Sequence, residues 1–223
     1  MKTAILSSTY FGPVQWYQKL NRYDNCIIEQ YDNFIKQTYR NRCLIPAANG
    51  IQALTIPVER PAEGRIDKTL MKDIRISEHG NWWHLHWNAL MSAYGESPFF
   101  EYYADDIRPF FEKRWDYLLD FNLEITMRMC ELLDIRPQIK FSESYWKTGP
   151  EELVTVDKEN RSFDFRDAIR PKHAATDTEF RPEKYYQVYQ QKYGFLPNMS
   201  ILDLLFNELH IFAGILNALS PDS

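Results

Sequence analysis

The sequence predicts an α/β fold: a partly parallel sheet begun by a strand-helix-strand unit, with a β-hairpin and a helical C-terminal half. Three observations carry this. The first 30 residues alternate an apolar run, a helical period and a second apolar run. Asn49-Gly50 sits between two apolar segments, the strongest short hairpin signal. Beyond residue 80, apolar residues recur mostly at helical spacing.

The elements follow in order. "TAILSSTYF" opens as a short apolar strand, and Gly12-Pro13 punctuates it before "VQWYQKLNRY", where Trp16, Leu20 and Tyr23 share a helical face. "NCIIEQ" is a continuous apolar run, suited to a strand buried on both sides. A parallel sheet so begun binds ligands at the carboxyl ends of its strands. The hairpin is expected at 43–48 and 51–58, and "KDIRIS" reads as a short strand. "HGNWWHLHWNALMSAYG" reads as a helix with Trp83, Trp87, Leu90 and Tyr94 on one face and Gly95 as its C-terminal stop. Two helices are expected across residues 97–135, broken near Asp120 or Asn122, then a strand at "IKFSESYW". Residues 147–182 are polar and read as a long loop or flap. "PEKYYQVYQQKYG" reads as a short helix, and Ser200 as the N-cap of a largely apolar last helix. One domain spans 1–223: sheet and helices over 1–146, the loop, then C-terminal helices from 183.

Composition excludes several classes. A net charge of −5 does not invite duplex nucleic acid or an anionic membrane. The apolar tail is interrupted by Asp203, Glu208 and His210, so no membrane insertion is expected. Three scattered cysteines form no disulfide framework or metal knuckle, and the short N-terminal apolar run is a strand rather than a signal peptide. A cytoplasmic location is expected. No Gly-x-Gly occurs, and P-loop, His-Glu-x-x-His and Gly-x-Ser-x-Gly motifs are missing, so no cofactor is evident.

The candidate chemistry is local. On a helix, His84 and His86 diverge and cannot share a metal, so no metal site is assigned. His86, beside the apolar face, is either a core histidine or an acid/base group at a pocket edge. "EQYDNFIKQTYRNR" places Glu29, Gln30 and Asp32 at a strand end and Lys36, Arg40 and Arg42 soon after. This mixture holds a phosphorylated or sugar ligand, or else is a solvated loop. Ser7, Ser8, Thr9 and Tyr10 can donate toward a helix N-terminus that favours an anion. Asp203, Asn207 and His210 form a polar stripe on the last helix, read as structural.

"TYFGPVQWYQKL", "EQYDNFIKQTYRNRC", "HLHWNALMSAYGESPFFEYY" and "GFLPNMSILDLLFN", in this order and spacing, resemble the WbqC-like family of bacterial proteins over nearly the whole chain. Its members occur among genes for O-antigen and other surface polysaccharides. The resemblance implies aminoacyl (glycyl) transfer to a sugar or nucleotide-linked sugar. Many members carry Gln-Pro ahead of Tyr-Phe-Pro, where this chain has Ser8-Thr9 before Tyr10-Phe11-Gly12-Pro13. That departure argues against a side-chain role at Ser8 or Thr9. The shared positions Tyr10, Lys36, Asn41, Arg42, His86 and Tyr94 are the better candidates. In this reading His86 is the base, with Glu29 or Asp32 orienting or replacing it. Asn41 and Tyr10 serve an oxyanion, and Lys36 and Arg42 hold nucleotide phosphates. The expected partners are a sugar or sugar nucleotide and an activated glycine donor of unknown identity; the oligomeric state is left open. A nucleotide-dependent activating enzyme and a non-catalytic sugar- or nucleotide-binding accessory protein are the alternatives.

Overall fold

The computed structural model describes residues 1–147, 161–208 and 214. Residues 148–160 of the expected loop, and His210 of the polar stripe, lie outside the described residues.

Four parallel strands form the main sheet: β1 (Lys2–Ser7), β2 (Asn25–Glu29), β5 (Ile139–Phe141) and β6 (Arg161–Asp164), in the order β5-β2-β1-β6. Every neighbouring pair is parallel, so all four carboxyl ends reach the same edge. The central strand β1 buries Ala4, Ile5 and Leu6 completely, as a strand covered on both faces must. The helix α1 (Val14–Arg22) makes the crossover from β1 to β2.

A separate antiparallel hairpin joins β3 (Arg42–Ala47) to β4 (Gly50–Thr55). Ala47 pairs with Gly50, so Ala48 and Asn49 make the turn and Gly50 closes it with φ 107°. The turn therefore sits one residue earlier than the Asn49-Gly50 dipeptide.

Helices α2 (Trp82–Tyr94), α3 (Phe100–Ile107), α4 (Pro109–Glu112) and α5 (Leu118–Leu132) follow. Along α2, Trp82, His86, Leu90, Ala93 and Tyr94 are buried, whereas Trp83 and Trp87 are half-buried. The buried face is thus rotated one position from the expected one, because Trp82 rather than Trp83 packs on Phe121 and His86. Gly95 ends α2 without a left-handed turn: its φ is −57°. A Cβ there would lie 2.7 Å from the Met91 carbonyl oxygen, so close approach rather than conformational freedom explains the glycine. The expected break at Asp120 or Asn122 falls instead between Glu112 and Leu118, and α5 runs unbroken through both residues.

Three further expectations are corrected. "KDIRIS" forms a 3-10 turn at Met71–Asp73 and isolated bridges at Arg75 and Ile76 rather than a strand. The polar stretch 147–182 contains β6, paired in parallel with β1, in place of the expected loop. The helix expected over 182–194 shrinks to α6 (Gln190–Tyr193). Ser200 does cap α7 (Ile201–Asn207), its hydroxyl accepting from the Leu202 N–H at 3.3 Å. All seven residues of α7 are buried. Asp203 there accepts from the Tyr185 hydroxyl (2.7 Å) and the Gln187 amide (2.6 Å), tying the 185–187 segment to the core as the structural reading of that stripe expects.

Among the described residues no helix is long and apolar enough to cross a membrane.

Candidate functional site

The carboxyl edge of the parallel sheet concentrates buried charge. Glu29, the last residue of β2, is fully buried. Its Oε1 accepts from the Tyr31 N–H (2.7 Å) and the Ser142 hydroxyl (2.8 Å), its Oε2 from the Trp146 N–H (2.6 Å). Arg166, just past β6, lies 3.7 Å from the same carboxylate. The Arg166 guanidinium also donates to both oxygens of Asp164, at 3.0 and 2.6 Å, and to the Trp146 carbonyl at 2.8 Å. Glu29 is therefore a post that fixes the ends of β2, β5 and β6 together.

A second buried pair stands beside it. Arg40 donates to Asp32 Oδ2, while Asn122 holds the Arg40 backbone carbonyl at 2.8 Å. Asp32 Oδ1 is buried and has no partner among the described residues. Burial raises the Asp32 pKa above the ordinary carboxylate value, and the neighbouring Arg40 cation only partly offsets it. A third pair, Arg170 with Asp167, is more open, and the Arg170 Nε–H donates to the Arg166 carbonyl (3.3 Å).

These three pairs line one cleft of about 450 Å³, walled also by Tyr31 and Tyr145. The Arg166 guanidinium lies over the Tyr145 ring, 5.4 Å from its centre. The cleft therefore gathers cations, carboxylates and two tyrosine rings at the carboxyl ends of the sheet strands.

The sequence-predicted site residues divide. Glu29 and Asp32 belong to this cluster. Lys36 is exposed. Asn41 is buried and donates to the Ile56 carbonyl (2.8 Å), and Arg42 lies on β3 with its Nε–H on the Thr55 hydroxyl (2.9 Å). Both serve the hairpin. Tyr10, His86 and Tyr94 are buried among rings. The Tyr10 hydroxyl and His86 Nδ1 are 2.9 Å apart, and the Thr55 backbone also bears on the ring. Burial pushes the His86 pKa down to about 4, so the ring is neutral near pH 7. None of these three residues lines the cleft. The N-terminus of α1 does not wait for an anion either. Its Val14 N–H donates to the Met199 carbonyl (3.1 Å) and its Gln15 N–H to Asn198 Oδ1 (3.0 Å). The three cysteines are buried, and burial raises each thiol pKa.

Sequence reading missed Tyr145, Asp164, Arg166, Asp167 and Arg170. The available signal was "RSFDFRDAIR", where alternation around Phe163 and Phe165 marks a strand and the charges follow at its end.

The loop after β1 is shaped by two backbone features. Phe11 takes a left-handed φ of 40°, and Gly12 presses on Thr9. A Cβ at Gly12 would stand 2.3 Å from Thr9 Oγ1 and 2.8 Å from Thr9 Cβ. Gly12→Ala is therefore expected to cost about 1–3 kcal/mol. Urea unfolding measures it, and an unchanged midpoint would remove the steric reading.

The described residues thus form an α/β domain with a parallel sheet and a charged cleft at its strand ends. The model of the WbqC-like protein family matches residues 8–210, and the chain belongs to that family. It is 27% identical over 228 residues to the uncharacterized protein Rv1507c of Mycobacterium tuberculosis, covering 92% of this chain and 93% of that protein. No solved structure matches.

Proposed function

We propose that the cleft binds a nucleotide-linked sugar and an activated amino acid, and transfers the aminoacyl (glycyl) group to an amine or hydroxyl of the sugar, the bond to the activating group (AMP or tRNA) breaking and that group leaving with the acceptor's proton. The carrying observation is the set of three arginine-aspartate pairs in one cleft. A ligand set bearing both phosphate and ammonium needs both counter-charges, with guanidinium forks for phosphate and carboxylates for the amine. Asp32 takes the part of general base. Its free, buried oxygen and raised pKa suit acceptance of a proton from the attacking amine or hydroxyl, and this replaces His86 in that part. Arg40, paired to Asp32, faces the oxyanion of the tetrahedral intermediate. Glu29 acts as a positioning residue through Arg166. Surface polysaccharide assembly is the setting the family suggests.

The test offers nucleotide-linked amino sugars with glycine and ATP, or with glycyl-tRNA, and reads products by mass spectrometry. A gain of one glycyl unit is expected. Asp32→Asn should slow turnover by about 100-fold or more. Arg170→Ala should weaken sugar-nucleotide binding by about tenfold. Absence of any glycyl product with any donor would sink the transferase reading.

One observation favours the accessory, sugar-binding alternative. An open groove of about 290 Å³ between α2 and α4 is lined by half-buried Trp83 and Trp87 with Asn81, Arg108 and Glu112. Aromatic side chains and planar polar groups together suit a sugar, although Arg114 already lies over the Trp83 ring at 3.6 Å. Weakened sugar binding in Trp83→Ala without any turnover in the wild-type protein would select it.

A further inference from the structure

Behind the cleft lies a recess of about 10 Å³, with room for a single oxygen atom. Arg40 and Arg166 border both the recess and the cleft. Ser7, Thr9 and Trp16 complete much of its wall. It sits beyond the carboxyl ends of β1 and β6. The chain leaves β1 for β2 on one side, while β6 flanks β1 on the other, so this is the switch point of the sheet.

Three donors of these residues are buried and have no partner among the described residues: the Ser7 hydroxyl, the Thr9 hydroxyl and the Arg40 Nε–H. Thr9 and Arg40 are each about 2% exposed. Buried polar groups are ordinarily paired, and each orphan costs free energy. Three residues bordering a one-atom space each carry such a donor, two of them hydroxyls free to turn and one a cation, a set that suits an anionic oxygen. No carboxylate is among the residues lining the recess.

We propose that the recess is the phosphate subsite of the cleft, where Ser7, Thr9 and Arg40 donate to one non-bridging oxygen of the ligand's diphosphate. The inference rests on the cleft being a sugar-nucleotide site and names the residues that grip it. A tetrahedral phosphate can place one oxygen inward and turn others out to Arg166 and Arg170. Thr9 thus gains a binding role that its departure from the family pattern argued against.

The stability of the free protein separates this from a structural water site. In the proposal the Thr9 hydroxyl is unpaired without ligand, so Thr9→Val removes an orphan and leaves the unfolding temperature unchanged or raised. The affinity for inorganic pyrophosphate, titrated calorimetrically into the full chain, should fall about tenfold or more in Thr9→Val. It should stay within about threefold in Thr9→Ser, which keeps the donor, and Ser7→Ala should weaken it as Thr9→Val does. Wild-type affinity in Thr9→Val alongside weak binding in Arg170→Ala overturns the recess and leaves the cleft standing. Loss of glycine binding in Thr9→Val, with pyrophosphate unaffected, overturns phosphate as the occupant. No binding of pyrophosphate or of a sugar nucleotide to the wild-type protein overturns both readings.

Discussion

Replacing Lys19 with Ala is expected to destabilise the protein by about 3–5 kcal/mol, because it leaves the nearly buried Asp177 carboxylate without its cation. Lys19 is fully buried in the middle of α1. Its ammonium lies 2.8 Å from Asp177 and 3.4 Å from Glu179, and 4.3 Å from the centre of the Phe165 ring. The Gln15 amide also donates to Asp177 (2.8 Å), and the Tyr23 hydroxyl to Glu179 (2.9 Å). Polar side chains spaced one turn apart, from Gln15 to Tyr23, therefore fasten a segment some 160 positions away. Urea unfolding of Lys19→Ala should show the loss. The double variant Lys19→Met/Asp177→Asn should recover part of it, since removing both charges removes the uncompensated one. A cost below about 1 kcal/mol for Lys19→Ala would mean the pair behaves as a surface ion pair and the segment is held otherwise.

That cluster marks where sequence reading stops. The periodicity of Trp16, Leu20 and Tyr23 located α1 correctly, and alternating apolar runs located β1, β2 and the hairpin. Gln15, Gln18 and Lys19 lie outside that apolar set, yet all three are buried. Nothing local to residues 13–22 announces that residues 177–179 will cover them. The candidate site divides on the same ground. Glu29 and Asp32 were legible because they follow an apolar run that had to be a buried parallel strand. Arg166 and Arg170 were not, because β6 is a short edge strand in a polar stretch and gains its place only by pairing with β1. His86 was legible as a core histidine or a catalytic one; the Tyr10 and Thr55 contacts decide its surroundings, and both partners come from other elements.

Two buried titratable groups should make acid stability depend on which of them is kept. The His86 pKa is pushed down to about 4 by burial, against about 6.5 in an unfolded chain. Between those values the unfolded chain binds a proton that the folded chain refuses. His86 therefore contributes stability above about pH 6.5 that is lost as pH falls toward 4. Asp203 runs the other way. Burial raises its pKa to about 6, the Tyr185 and Gln187 donors only moderating the rise, against about 3.9 unfolded. Between those values the folded chain holds a proton that the unfolded chain releases, so stability is gained as pH falls. Each effect is worth about 3 kcal/mol at full extent, so in the wild-type protein they largely cancel between pH 4 and 6. Asp203→Asn should then steepen the acid loss by roughly 3 kcal/mol across that window, and His86→Gln should leave the Asp203 gain unopposed, a rise of roughly 3 kcal/mol relative to wild type as pH falls. Urea unfolding free energies of the three proteins at pH 4.5, 5.5 and 7 read this directly. Because other carboxylates titrate alike in all three, the differences between their profiles isolate the pair. Parallel profiles would mean that His86 and Asp203 keep ordinary pKa values in the fold, and that the Tyr10–His86 contact is open to water.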